Sequence, residues 1–325
     1  MKDYYIFKSG RIIRKDNSIF LETAEGNIPI PVNDVDSLYL FGEIDLNTKA
    51  INFFAQQGII IHFFNYYGWY TGSFYPREKL LSGEVIVRQA EHYLDIKKRL
   101  YIAKEFVKGA IHGFIYNLKR YPEVDKKIFD NFEIYKSSVD KQEEISAVMG
   151  IEGNARDLYY GTFPVVIKQE IDFDKRVKHP PDNMINALIS FLNSLVYTAV
   201  IKEIYRTQLN PTISFLHEPF YRRFSLALDI AEIFKPIYGD RIIFDLLNNN
   251  QITEKHFDKD LNYCYLKEDG RKIVVKAFDE KMKTTIIHKK LKRKVSYQKI
   301  IRLELYKLIK HLIGEEIYKS FRIWW

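Results

Sequence analysis

Residues 89–121, QAEHYLDIKKRLYIAKEFVKGAIHGFIYNLKRY, place apolar side chains at Leu94, Leu100, Ala103, Val107, Ala110, Ile111, Phe114 and Leu118. Steps of three and four residues follow the α-helical turn, so one face of this segment is built to enter a core. The stretch divides the chain. Before Pro76, runs of β-branched and aromatic residues at 4–7, 18–22, 27–32 and 37–41 are punctuated by Gly10, Asp16-Asn17 and Glu25-Gly26-Asn27 and predict strands. One short helix over 47–57, closed by Gly58, and strands over 59–64 and 68–74 complete that region. Beyond 121 the spacing predicts helices over 123–135, 140–160, 182–206, 225–234, 240–248 and 296–313. A small hairpin is expected from 263–266 and 272–275, turning at Asp269-Gly270. The fold class is therefore α+β. A small N-terminal β domain, residues 1–80, precedes a larger, mainly α-helical domain, residues 81–325. A chain of 325 residues exceeds the roughly 250–300 at which one core stops growing, which also favours two domains.

Composition narrows the function classes. The single cysteine, Cys264, rules out an internal disulfide and a cysteine-based zinc site. The N-terminus has no apolar run of the signal-peptide kind, so a cytoplasmic location is expected. Residues 183–201 carry no charge, but Asn183, Asn186, Ser190, Asn193, Ser194 and Thr198 interrupt them; they read as a buried soluble helix, not a membrane span. The net charge is +8 and is unevenly placed: residues 1–85 carry a net −2 and the remainder a net +10. Such an excess attracts polyanions. Its densest part, residues 276–302, holds ten basic and two acidic residues, with Lys289, Lys290, Lys292, Arg293 and Lys294 nearly contiguous. No GxxxxGK[ST] loop is present, so ATP use is not expected.

Residues 211–240, PTISFLHEPFYRRFSLALDIAEIFKPIYGD, bring His217, Asp229 and Glu232 within sixteen residues. Ser225 is a candidate N-cap, Lys235-Pro236 the expected end, and Asp229 and Glu232 fall on one face of the helix between them. Two acids on one face need a positive charge beside them. A metal ion meets that need, and so do Arg222, Arg223 or Lys235. The Glu218-Pro219-Phe220 turn lets His217 come back towards the helix. Far upstream, Glu152 lies between Gly150 and Gly153 in a helical pattern, where each glycine costs about 1 kcal/mol against alanine. The glycines suggest a close approach to the backbone; the plainer alternative for Glu152 is a helix pair with Arg156, four residues on.

Taken in order, MGIEGNARDLYYGTFP, RVKHPPDNMINALISFLNSLVYTAV and FLHEPFYRRFSLALDIAEIFKPIYGDR resemble the CRISPR-associated integrase of the adaptation module, the first-numbered CRISPR-associated protein family. The family's glutamate helix matches Glu152, its arginine-to-proline-proline stretch matches 176–188, and its histidine before a Ser-Leu-x-Leu-Asp-x-x-Glu helix matches His217 and 225–232. The closing KVSYQKIIRLELYKLIKHLIG is similar too. The chain departs in having Glu218 after the histidine and glutamate, where some members have aspartate, at the last ligand position. The resemblance implies one divalent metal, Mg²⁺ or Mn²⁺, held by the catalytic residues Glu152, His217 and Glu232, with Asp229 auxiliary or behind them. Two carboxylates and an imidazole suit those ions better than zinc. It implies a DNA endonuclease and integrase that inserts new spacers into a CRISPR array. Implied partners are duplex or branched DNA, a second copy of the chain, and the small second-numbered CRISPR-associated protein. Arg223, Lys235, Lys289, Lys290, Lys292 and Arg293 are the expected DNA contacts. The alternatives are a DNA-binding scaffold without chemistry and a metal-dependent RNA nuclease.

Overall fold

The computed structural model describes every residue except Met1, Asn17, Lys79, Asp172, Lys178, His179, Phe220, Tyr221, Arg222, Leu261 and Asn262. Arg222, one candidate partner for the acidic helix, therefore lies outside the described residues.

The chain begins with β1 (Lys2–Ile6), β2 (Gly10–Lys15), β3 (Ser18–Thr23), β4 (Gly26–Ile30), β5 (Val35–Leu40), β6 (Ile44–Leu46), α1 (Thr48–Gln57), β7 (Ile60–Phe64) and β8 (Tyr70–Phe74). They form two four-stranded sheets, ordered β1-β5-β7-β8 and β4-β3-β2-β6. Asn47 caps α1 by accepting from the Ala50 N–H at 2.9 Å, and Gly58 ends it in the left-handed region at φ 72°. β5 shows why the sheets stay attached to the rest. Leu38 and Leu40 enter a core shared with Ile12, Leu21, Phe54 and Ile61, whereas Tyr39 and Phe41 belong to the core of the helical part. Alternation with period two sends one strand's side chains into both cores.

The helical part runs α2 (Gly83–Leu94), α3 (Ile96–Leu118), α4 (Lys126–Asp140), α5 (Ile145–Tyr160), α6 (Phe163–Val166), α7 (Met184–Tyr205), α8 (Ser225–Phe234) and α9 (Arg241–Asn248). It continues with β9 (Phe257–Asp260), β10 (Tyr263–Leu266), α10 (Glu268–Lys283), β11 (Thr285–Ile287), β12 (Lys294–Ser296) and α11 (Tyr297–Leu312). α3 is the axis: Ala103, Phe106, Val107, Ala110, Ile111, Phe114 and Leu118 are buried, and α4, α5 and α8 pack on it. Gly109 lets the C-terminal segment lie against α3, since a Cβ there would come within 2.8 Å of Ser320 Oγ, and it also eases the contact with α8, where Ile233 Cγ2 would be 3.4 Å away. α7 is long and apolar enough to cross a membrane, yet 72% of its apolar window is buried inside the protein, as a core helix requires.

Several sequence expectations need correction. The 89–121 helix is two helices, because Asp95 breaks the run and caps α3, accepting from the Lys97 N–H at 2.9 Å and the Lys98 N–H at 3.1 Å. Residues 272–275 are not a strand but part of α10, and the hairpin pairs β10 with β9 instead. Gly270 is not a turn glycine: a Cβ there would lie 2.9 Å from the His256 carbonyl oxygen, so it serves close packing. The helix expected from 182 begins at Met184, capped by Asn183, which accepts from the Asn186 N–H at 2.9 Å. α8 ends at Phe234, before Lys235-Pro236 as expected, but the chain does not leave the helical path there. Residues Lys235–Asp240 form a π-helical segment that carries the chain directly into α9. Ser225 is the first residue of α8, not its cap.

Candidate functional site

α5 and α8 meet the loop before α8 around a cavity of about 750 Å³, lined among others by Glu152, Arg156, Arg176, Asn193, His217, Glu232 and Lys235. The three expected ligands, from three separate segments, therefore face one space. Glu152 and Arg156 are one turn apart on α5. Arg156 Nε donates to Glu152 Oε1 at 2.8 Å, and its Nη2 reaches both Glu152 and Glu232. Lys235, in the π-helical segment, donates to the other oxygen of Glu232 at 2.6 Å. Burial alone works to raise the Glu232 carboxyl, but the Arg156 and Lys235 charges outweigh it and hold the group down at about 2. The carboxylate is thus charged, and its charge is met by two cations.

His217 is set by α8 from behind. Asp229 is fully buried. Its Oδ2 accepts from the Phe215 and Leu216 N–H groups at 2.7 and 2.9 Å, and its Oδ1 accepts from the His217 N–H at 2.9 Å and from His217 Nδ1 at 2.8 Å. The ring proton therefore sits on Nδ1, which leaves Nε2 as a lone-pair donor. Burial disfavours the charged imidazole, but the hydrogen bond and charge of Asp229 prevail and raise its pKa. Both Asp229 oxygens are thus occupied by hydrogen bonds, one of which orients the His217 ring.

The donor chemistry and the resident guanidinium fit a hard divalent ion: two carboxylates face one cavity, and a positive charge already sits between them. Among the described residues, no three His, Cys, Asp or Glu side chains converge tightly enough to grip an ion as they stand. Arg156 occupies that place. Gly150 and Gly153 admit no close neighbour: nothing lies within 4 Å of a Cβ at either position. The expectation of a close backbone approach there is not met.

The expected DNA contacts divide. Lys235 is at the site, paired with Glu232. Arg223 Nη2 donates to the Glu218 carbonyl at 2.7 Å, while the Glu218 carboxylate is held by Arg99 at 2.6 Å and by the Tyr93 hydroxyl at 3.0 Å. Lys289, Lys290, Lys292 and Arg293 lie on the connection between β11 and β12, all exposed, and none of them lines the cavity. Lys290 pairs with Glu316 at 3.0 Å, and Lys289 lies 5.4 Å from the Trp324 ring centroid. Two site arginines escaped sequence reasoning as functional groups. Arg156 read only as a helix partner of Glu152, although its i, i+4 spacing was the signal. Arg176, whose Nη2 donates to Ser190 Oγ at 2.8 Å, has no local signal beyond the proline-proline stretch that follows it.

Residues 4–280 match the family model described as CRISPR associated protein Cas1. "CRISPR-associated endonuclease Cas1 3" of Thermodesulfovibrio yellowstonii is 53% identical over 326 residues, covering 100% of both chains. The solved structure of TM1797, a CAS1 protein from Thermotoga maritima, superposes with a TM-score of 0.90 at 43% identity, covering 99% of this chain and 100% of that one. A casposase bound to integration product shares the fold, with a TM-score of 0.89 at 20% identity over 99% of this chain and 93% of the other. An N-terminal pair of sheets, a helical body with a carboxylate–histidine cavity and this degree of identity agree: the chain belongs to the CRISPR-associated Cas1 family.

Proposed function

We propose that this chain is a metal-dependent DNA endonuclease and integrase that inserts new spacers into a CRISPR array. The observation that carries the reading is the convergence of Glu152, His217 and Glu232 on one cavity, with Asp229 fixing the imidazole. Glu152, Glu232 and Nε2 of His217 would hold one Mg²⁺ or Mn²⁺. Such an ion, when bound, polarises a phosphodiester and stabilises charge growing on its oxygens. The chain's own residues do the rest. Asp229 keeps the Nδ1 proton in place so that Nε2 points outward. Lys235 and Arg156 offset the two acids and lower the cost of bringing a phosphate to them. No protein nucleophile is required: the attacking group is water in cleavage and a DNA 3′-hydroxyl in strand joining.

The reading places the chain in the cytoplasm, as a homodimer with a β domain over 1–80 and a catalytic domain over 81–325, working with the second-numbered CRISPR-associated protein. The integration product named for the casposase of like fold agrees with joining as well as cutting. The exposed basic connection at 289–293 would bind DNA phosphates without reading sequence. The test is strand transfer of a short duplex into a repeat-bearing plasmid with Mn²⁺ or Mg²⁺. Glu152→Ala and His217→Ala are expected to abolish it. Full activity in either variant ends the reading, and DNA binding that persists under chelation without any nicking favours a scaffold.

A further inference from the structure

Between the two carboxylates of the candidate metal site lies a side chain with no part in the ligand set. We infer that Arg156 is a resident cation of this site: it holds Glu152 and Glu232 together and must be displaced by a divalent ion for the site to load. The inference rests on the reading of Glu152, His217 and Glu232 as ligands.

Glu152 and Glu232 come from different helices, and the Arg156 guanidinium, 76 residues from Glu232 in sequence, bridges them. The side chains of Arg156, Glu152 and Glu232 are only 17%, 18% and 9% exposed, so water screens the two acids poorly. Two charged carboxylates facing one low-dielectric space repel unless a cation sits between them. Lys235 takes the remaining oxygen of Glu232, at 2.6 Å. Both oxygens of Glu232 are therefore already engaged by cations, while Oε2 of Glu152 accepts no hydrogen bond among the described residues. A divalent ion that reaches Glu232 has to take an oxygen from one of those cations. It cannot share the gap between the carboxylates with a guanidinium of like charge.

Arg156 is tethered to the same helix as Glu152, so displacement moves it only as far as the cavity in front of the site. A guanidinium presents a planar fork that matches two phosphate oxygens. Loading the ion thus releases a phosphate-binding group beside the place where a phosphodiester must lie. Ion and nucleic acid then favour each other's binding, as reciprocal coupling requires.

Calorimetric titration of the full chain with Mn²⁺ alone tests this, comparing the wild type with Arg156→Met, Arg156→Lys and Glu152→Gln. Arg156→Met is expected to bind Mn²⁺ about tenfold tighter, because the competitor is gone. Arg156→Lys should fall between, since an ammonium cannot bridge both acids as a fork does. The Mn²⁺-induced rise in melting temperature should be larger in Arg156→Met than in the wild type, whereas a merely structural arginine would leave that rise unchanged. Equal or weaker Mn²⁺ binding in Arg156→Met overturns the inference. If that variant does not fold, Arg156→Lys decides by the same criterion. Wild-type binding that Glu152→Gln does not weaken removes the metal-site reading and this inference together. Binding that is lost in Glu152→Gln but unmoved in the Arg156 variants removes this inference alone.

Discussion

Asp229 grips His217 twice through one oxygen, Oδ1, at 2.9 Å from its backbone N–H and 2.8 Å from its ring Nδ1. The loop before α8 and the tautomer of the imidazole are therefore set by the same carboxylate. Asp229→Asn keeps the shape but loses an acceptor-only group, and is expected to weaken Mn²⁺ binding about 10- to 100-fold. Asp229→Ala strands three backbone N–H groups and should cost at least about 2 kcal/mol of folding stability. Titration calorimetry and urea unfolding measure the two; unchanged Mn²⁺ affinity in Asp229→Asn would show that the histidine needs no orienting partner.

Asp240, at the end of the π-helical segment, gives the fold a pH dependence. Burial pushes its carboxyl up to about 7, against the opposing pull of Arg156, the Tyr159 hydrogen bond and Lys235. A carboxyl whose pKa is raised on folding adds stability that is whole below its unfolded value of about 4 and is lost as the pH climbs through the folded one. From this group alone, unfolding free energy should fall by about 2–4 kcal/mol between pH 5 and pH 8. Asp240→Asn should flatten that fall. The same slope in the variant would place the titration elsewhere.

Lys202 on α7 is 2% exposed and pairs with Asp3 at 2.5 Å and Asp36 at 2.7 Å, tying the first sheet to the helical core. Arg206 supports it, 2.5 Å from Asp36. Lys202→Met leaves two half-buried carboxylates with one cation and is expected to cost about 3 kcal/mol. A urea midpoint within error of the wild type would show the cluster to be energetically idle.

The basic connection at 289–293 makes a separable prediction. Replacing Lys289, Lys290, Lys292 and Arg293 by glutamine should weaken duplex binding uniformly across sequences and flatten its salt dependence by about 0.9 for each phosphate no longer neutralised. Mn²⁺ binding should stay as it is, because none of the four lines the cavity. An unaltered salt slope would place the DNA path on another surface.

The sequence carried the division into sheets and helices because its apolar periods change sharply near Pro76. It also raised His217 and Glu232 as candidates, and both line one cavity, since spacing along one short segment is local information. What it concealed was decided by packing at a distance. Residues 272–275 look like a strand, yet Val274, Val275, Phe278 and Met282 bury one helical stripe, with Glu268 and Asp269 in the first turn of α10 and Lys281 and Lys283 in its last. Pro236 reads as a terminator, but an inserted π-helical turn absorbs it and places Lys235 against Glu232. Arg156 looks like the partner of a residue one turn away; its second partner, Glu232, is fixed only by how α5 meets α8.

The claim on which the account depends is that Glu152, His217 and Glu232 together hold a single divalent ion. Anomalous diffraction from crystals grown with Mn²⁺ tests it most directly. The account predicts one peak within bonding distance of both carboxylates and Nε2 of His217, with Arg156 drawn away from Glu232. A fully loaded crystal whose anomalous peak lies elsewhere, with Arg156 still bridging the two glutamates, would contradict it.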